Sequence, residues 1–421
     1  MGYIKRNAET TIKRAAKMFP AIMITGARQV GKTTLVRHLA RDIPYFTLDD
    51  PVLLQSAIEE AGSFFKSTPP PVIVDEIQYA PNLFSYIKMI AAESGKRGLF
   101  YLQEFKMMKN VSESLAGRIG IINLPGLSLR EIKGDTFSEH FVPTEEYLAK
   151  RKTTVKDADY QEIWSIIHKG SIPGMYASEL DWQLFYAAYT KTYLERDVRE
   201  LAQVGDELKF IKFMTALAAR SAQMLNLSSI ANEIGISVPT ANRWLSILIS
   251  SNIVYLLQPY YSNSLKRAVK TPKLYFLDTG LIAYLTKWTT PEVLEAGAMA
   301  GAFFETLVVG EVLKSFYNAG ILEPPLYYYR DKDGKEIDLL IEQDGKLHPV
   351  EIKKTANPSR WQLANFSVLE KNESIIIGTG GIICLYEKKP PRVRELSINE
   401  LFINLKGMPQ RLVRLNLIFE K

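Results

Sequence analysis

Little in this sequence serves covalent cross-linking or metal binding through sulfur and nitrogen. Of its 421 residues one is cysteine, Cys384, so no disulfide closes within the chain and a reducing, cytoplasmic setting is expected. The four histidines, His38, His140, His168 and His348, are scattered without ligand spacing, which argues against zinc. No run of about 18 uninterrupted apolar residues occurs. The nearest, Trp244–Leu257, is broken by Ser246, Ser250, Ser251 and Asn252, so neither a membrane span nor a membrane partner is expected. The first 20 residues are basic but lack an apolar core, so no secretory leader is read. Internal repeats and low-complexity tracts are also missing, which excludes solenoids and wholesale disorder.

What is present is the composition of an ordinary globular chain, long enough for about three domains. Lysine and arginine exceed aspartate and glutamate by 52 to 46, and a net +6 over so large a surface permits a nucleic-acid partner without arguing for one. Local chemistry has to decide.

Three stretches differ in pattern. Residues 1–135 alternate β-rich runs (Ala21–Thr25, Tyr45–Leu48, Val72–Val74, Leu99–Leu102, Ile119–Leu124) with helical ones, which predicts an α/β fold on a parallel sheet. Residues 136–260 are mostly helical. Residues 261–421 mix strands at Lys273–Leu277, Leu326–Tyr329, Glu336–Ile341, His348–Ile352 and Ser374–Ile377 with a helix at Ala300–Phe316, predicting a mixed α+β domain.

Gly26-Ala27-Arg28-Gln29-Val30-Gly31-Lys32-Thr33, followed by Thr34, matches the phosphate-binding loop pattern between a strand and a helix. Its glycines let backbone N–H groups turn onto phosphate, and the helix N-terminus adds positive potential. Lys32 is expected on the β- and γ-phosphates of ATP and Thr33 on Mg²⁺. Asp75 and Glu76 end a buried strand 43 residues beyond Lys32. In a parallel sheet such ends gather at the ligand crevice. Asp75 would hold the Mg²⁺ shell and Glu76 would orient or deprotonate the attacking water.

The loop, Asp75-Glu-Ile-Gln78, Asn110–Arg118, Leu127-Ser-Leu-Arg-Glu131 and Tyr189–Val198 together resemble the prokaryotic AAA-type ATPases that carry a C-terminal domain of unassigned function. The resemblance spans most of the chain and implies a bilobed ATPase with a helical middle. It also implies an arginine directed at the γ-phosphate, with Arg118 and Arg196 in family position, supplied within the chain or across a boundary to a second copy or partner protein. One departure is plain. Where such proteins carry Thr-Gly-Ser after the next strand, Leu99-Phe-Tyr-Leu102 runs into Gln103-Glu104-Phe105. Either Gln103 substitutes as a polar sensor or hydrolysis is impaired.

Leu227–Gly235 and Ile236–Leu245 read as two short helices around a glycine turn, with Ser237 as N-cap and Pro239 in the first turn. With strands at Ile253–Leu257 and Lys273–Leu277 they predict a winged helix-turn-helix. Its DNA-facing candidates are Thr240, Asn242 and Arg243, and the wing loop offers Lys266, Arg267, Lys270 and Lys273. The alternative is a module that only packs domains together.

Further on, Asp338 lies in one strand of a hairpin and Glu351 and Lys353 lie in the other, sharing a face by the period of two. The neighbours Ile337, Leu339, Leu340, Val350 and Ile352 are apolar, so these charges sit in a buried sheet and need a reason. With Glu305 on the preceding helix and Gln362 on the following one, the order resembles the PD-(D/E)XK nuclease fold. That implies Mg²⁺ held by Glu305, Asp338 and Glu351, with Lys353 positioning water. A Mg-ATPase coupled to DNA, with or without cleavage, is the expectation. The alternative is a nucleotide-dependent switch that binds DNA or protein.

Overall fold

The computed structural model describes residues 2–104, 115–151, 160–193, 207–260, 270–354, 365–370, 375–386, 395–396 and 414–418. Two sheets organise them. In the first, β1 (Ala21–Thr25), β2 (Tyr45–Thr47), β3 (Val72–Asp75), β4 (Phe100–Gln103) and β5 (Ile119–Asn123) run parallel in the order β2-β3-β4-β1-β5. Every residue of β1 and β3 is buried, as a parallel sheet covered on both faces demands. Alternate residues part to opposite sides. Ile22, Ile24 and Ile73 join one apolar cluster, while Ala21, Met23, Val72 and Val74 join another. Helices over residues 32–39, 51–59, 61–67 and 83–94 connect the strands.

The second sheet is mixed. Its strands are β6 (Gln223–Met224), β7 (Val254–Pro259), β8 (Lys273–Phe276), β9 (Leu326–Arg330), β10 (Glu336–Gln343), β11 (Lys346–Lys353), β12 (Ile376–Ile377), β13 (Gly381–Tyr386), β14 (Glu395–Leu396) and β15 (Arg414–Ile418). The path runs β14-β15-β13-β11-β10-β9-β7-β8-β6, with β12 beside β11. β7 is antiparallel to β8 on one side and parallel to β9 on the other. One sheet therefore runs through the boundary read near residue 260. One apolar cluster does too, joining side chains from Leu129 to Leu385.

The helix Ala300–Ala319 lies at the centre of this second body, buried on nearly every side. It also meets the first lobe. Glu311 Oε2 accepts from the Leu129 backbone N–H at 2.8 Å, and Lys314 Nζ donates to the Leu127 carbonyl at 2.9 Å. Beside them Arg6 Nε pairs with Glu131 Oε1 at 3.0 Å, with both side chains almost fully enclosed. Arg6 donates further to the carbonyls of Val30 (2.7 Å) and Pro125 (2.6 Å), and Glu131 accepts from the backbone N–H groups of Asn7 (2.7 Å) and Ser128 (2.8 Å). Such a pair keeps its charges satisfied inside the protein, and loss of either member would strand the other. At the end of β5, Asn123 Nδ2 donates to Asn252 Oδ1 at 3.1 Å, tying the parallel sheet to the turn before β7. No helix among the described residues is long and apolar enough to cross a membrane.

Candidate functional site

The loop after β1 is shaped by its backbone. Gly26 has φ 144°, and a Cβ there would collide with the Leu124 carbonyl. Gly31 has φ 89° and starts the helix Lys32–Leu39 from a left-handed conformation that favours glycine. Ala27 and Val30 are buried beneath the loop while Arg28, Gln29 and Thr34 face outward, with Gln29 at φ 59°. Lys32 Nζ donates to the carbonyls of Gly26 (2.9 Å) and Ala27 (3.0 Å). It crosses the mouth of the loop onto these carbonyls.

The strand order brings the acids to this loop. β3 is separated from β1 by β4 alone, and Thr33 Oγ1 donates to Asp75 Oδ2 at 2.9 Å. Tyr45, at the start of β2, donates to the same oxygen at 2.7 Å, and its hydroxyl is pushed up by burial and by the carboxylate it binds. Tyr45 had no motif to mark it. Only the pairing of β2 with β3 reveals its place. Glu76 is the next residue, at φ 55°, where Gln78 Nε2 donates to its Oε2 at 2.5 Å. Gln103 ends β4 between the two functional strands. Its side chain is fully buried, and among the described residues neither Oε1 nor Nε2 has a hydrogen-bond partner. A buried amide left unpaired beside a phosphate loop is an acceptor and donor in want of a ligand. The donor set, the clearance enforced at Gly26 and this amide all fit Mg-nucleotide.

Arg118 does not converge on this site. It precedes β5, and its carbonyl accepts from the Ala21 N–H at 3.2 Å, at the start of β1. The loop leaves the other end of β1, roughly 13 Å away along the strand. Arg118 therefore cannot contact nucleotide held by its own chain, which corrects the expectation within one chain. Arg196 lies outside the described residues, as do Lys266, Arg267 and Gln362.

The middle region holds the expected pair of helices, Leu227–Ile234 and Val238–Ser250. Asn226 accepts from Ser229 N–H at 3.0 Å, Gly235 closes the first helix at φ 72°, and Ser237 accepts from Thr240 N–H at 3.2 Å. Trp244, Leu245 and Leu248 turn inward, and Asn242 and Arg243 are exposed on the outer face.

Lys273 is a correction. Its place in a basic run suggested a wing loop facing DNA, but it begins β8 and is 3% exposed. Its ammonium lies 3.0 Å from Glu305 Oε1, 2.5 Å from Glu336 Oε1 and 3.9 Å from Asp338 Oδ1. On the far side of Asp338, Lys353 Nζ lies 2.8 Å from Asp338 Oδ2 and 2.7 Å from Glu351 Oε2. Tyr275 OH donates to Glu305 Oε1 at 2.6 Å, and Ile352 N–H to Asp338 Oδ2 at 2.8 Å. The hairpin register, Leu339 opposite Val350, sets Asp338 across from Glu351.

Asp338, Glu351, Lys353 and Glu305 thus gather in one place, with Glu336 and Lys273 among them. The period of two already puts Glu336 on the face of Asp338. Lys273 comes from a strand that sequence pattern does not pair with this hairpin.

The electrostatics divide the acids. Burial raises Glu351 to about 9, assisted by the neighbouring Asp338 charge and opposed by Lys353. Burial likewise raises Glu305 to about 7 against the pull of Lys273. Asp338 is also buried, yet Lys353 and Lys273 hold it below the usual carboxylate range. Among the described residues no three His, Cys, Asp or Glu side chains are arranged to hold a metal ion. The expected metal ligands Glu305, Asp338 and Glu351 are instead engaged by ammonium groups, so this centre does not fit the Mg²⁺ expected for it.

Residues 18–133 match the family described as AAA domain. Residues 160–292 and 300–401 match two domains of unknown function, DUF8612 and DUF4143. Two proteins titled uncharacterized, from Mycobacterium tuberculosis and Mycobacterium bovis, are each 27% identical over 372 residues, covering 84% of this chain and 75% of theirs. Among solved structures, a Walker-type ATPase of Pyrococcus abyssi aligns with TM-score 0.42 and 14% identity over 67% of this chain and 96% of its own. A signal transduction ATPase with a tetratricopeptide repeat sensor from Pyrococcus horikoshii aligns with TM-score 0.25 and 12% identity, over 76% and 48%. The parallel sheet and the phosphate loop give the first lobe a P-loop nucleotide-binding fold, and the AAA match falls on the same stretch.

Proposed function

We propose that this protein is a cytoplasmic Mg-ATPase whose nucleotide state governs a second lobe that binds DNA or a protein partner. The reading rests on the contact between Thr33 and Asp75 at 2.9 Å at the mouth of the phosphate loop. Mg²⁺ bound with ATP would supply charge neutralisation at the phosphates, with Thr33 and Asp75 as the residues that hold it. Lys32 turns from its loop carbonyls to the β- and γ-phosphates, and the N–H groups of residues 27–33 surround them. Glu76 takes the proton of the attacking water, and Gln78 fixes the carboxylate that does so. Gln103 donates its amide toward the γ-phosphate, in the role that a hydroxyl fills in the resembling family.

The helix pair and the β7–β8 pair after it supply a winged helix-turn-helix, with Asn242 and Arg243 as its DNA-facing groups. One positive charge there gives a modest contact, which suits binding conditional on ATP rather than constant coating. The test is ATP binding and turnover with a DNA mobility shift in parallel. Lys32→Ala should lose ATP binding, and Glu76→Gln should bind ATP yet turn it over slowly. Unchanged ATP affinity in Lys32→Ala refutes the nucleotide assignment. A DNA or partner contact insensitive to ATP refutes the switch.

A further inference from the structure

The acid centre of the second lobe contains more positive charge than a metal site tolerates. Lys273 is not a surface side chain folded inward. Its backbone pairs with Leu257 of β7 on one side and Met224 of β6 on the other, so the sheet fixes where the side chain begins. From there it passes the Tyr328 ring, its ammonium 5.5 Å from the ring centre, and ends among Glu305, Glu336 and Asp338. Those acids come from the helix Ala300–Ala319 and from β10. Arg330 holds the other oxygen of Glu336 at 2.7 Å, and Tyr275 donates to the same Glu305 oxygen as Lys273 at 2.6 Å. Oxygen ligands to Mg²⁺ stand at about 2.0–2.1 Å from the ion, so a divalent ion and the Lys273 ammonium would claim the same space. At that range the two cations repel each other with little water between to screen them.

We propose that Lys273 is the built-in cation of this centre, holding the position among Glu305, Glu336 and Asp338 that a divalent ion would need. The centre is thus a network of carboxylates and lysines that works without metal. It binds β8, and with it the helix pair, to the hairpin β10–β11. The second lobe therefore needs no divalent ion of its own, and metal-assisted phosphodiester hydrolysis has no place to start. The inference stands apart from the nucleotide site and survives its failure.

The test is a Mn²⁺ titration followed by electron paramagnetic resonance, in the full chain carrying Asp75→Asn to silence the phosphate loop and with no nucleotide added. With Lys273 intact, adding Asp338→Asn should leave Mn²⁺ binding unchanged, because the centre holds none. Adding Lys273→Ala should create one new Mn²⁺ site per chain, abolished when Asp338→Asn is combined with it. Binding in the Lys273-intact chain that Asp338→Asn removes would overturn the proposal. A folded Lys273→Ala chain that gains no site would overturn it as well. Should Lys273→Ala fail to fold by circular dichroism, the Lys273-intact comparison decides alone.

Discussion

The two charged centres use the same residue types and reach opposite states. In each, an acid on a buried strand lies beside an element that carries a lysine. At the phosphate loop Lys32 rests on neutral carbonyls and Asp75 is held by the hydroxyls of Thr33 and Tyr45. Those contacts are weak enough to exchange for a ligand. In the second lobe Lys273 and Lys353 lie directly on carboxylates inside the sheet. A carboxylate held by hydroxyls beside a phosphate loop forms a receptor, whereas carboxylates already bonded to ammonium groups form a joint.

Stability tests this contrast most severely. Lys273→Met should cost about 3–5 kcal/mol in chemical denaturation, because it strands buried acids. Lys32→Ala should cost less, about 1 kcal/mol, since the Gly26 and Ala27 carbonyls it leaves can be served by water. Equal losses would erase the distinction. Next in size is catalysis. Glu76→Gln should lower ATP turnover by about 100-fold or more while ATP affinity holds, whereas Glu351→Gln should leave turnover within about twofold; steady-state phosphate release reads both.

A pH series gives a smaller effect with a definite sign. Glu351, raised to about 9, and Glu305, raised to about 7, keep protons in the folded chain that the unfolded chain has released. Their contribution is complete below the ordinary carboxylate range and is lost as pH rises toward those values. Stability should therefore slope downward from the ordinary carboxylate range to about 7 through both acids and on to about 9 through Glu351 alone, and Glu351→Gln should flatten that slope in melts run from about pH 5 to 9. The opposite slope would mean that Glu351 is ionised in the fold. The smallest expected change is at the exposed helix. Arg243→Ala should weaken DNA binding by about tenfold or less and reduce its salt dependence by about one ion, as a mobility shift would read.

Much of this was legible from sequence wherever the signal was local. Buried runs gave β1 and β3 to within a residue, and the loop between β1 and its helix carries its own pattern. Ser237 and Gly235 mark the helix pair through caps that act within three residues. Lys273 was misread because its nearest neighbours in sequence, Lys266, Arg267 and Lys270, are basic, while the acids that hold it lie 32 to 65 residues away. Arg6 left no trace either, since its partner Glu131 is 125 residues distant. Arg118 followed from family position, which does not say at which end of a strand a residue falls. Tertiary pairing of charges has no period, so spacing cannot reveal it.

The double membership of β7 has a consequence for how the chain can be divided. Cutting after residue 260 would leave one fragment ending in β7 without β9, and another beginning near β8 without β7. Each would present bare strand edges, the surfaces along which chains stick to one another. The helix pair and the carboxylate hairpin thus share one sheet, and either expressed without the other would leave those edges open.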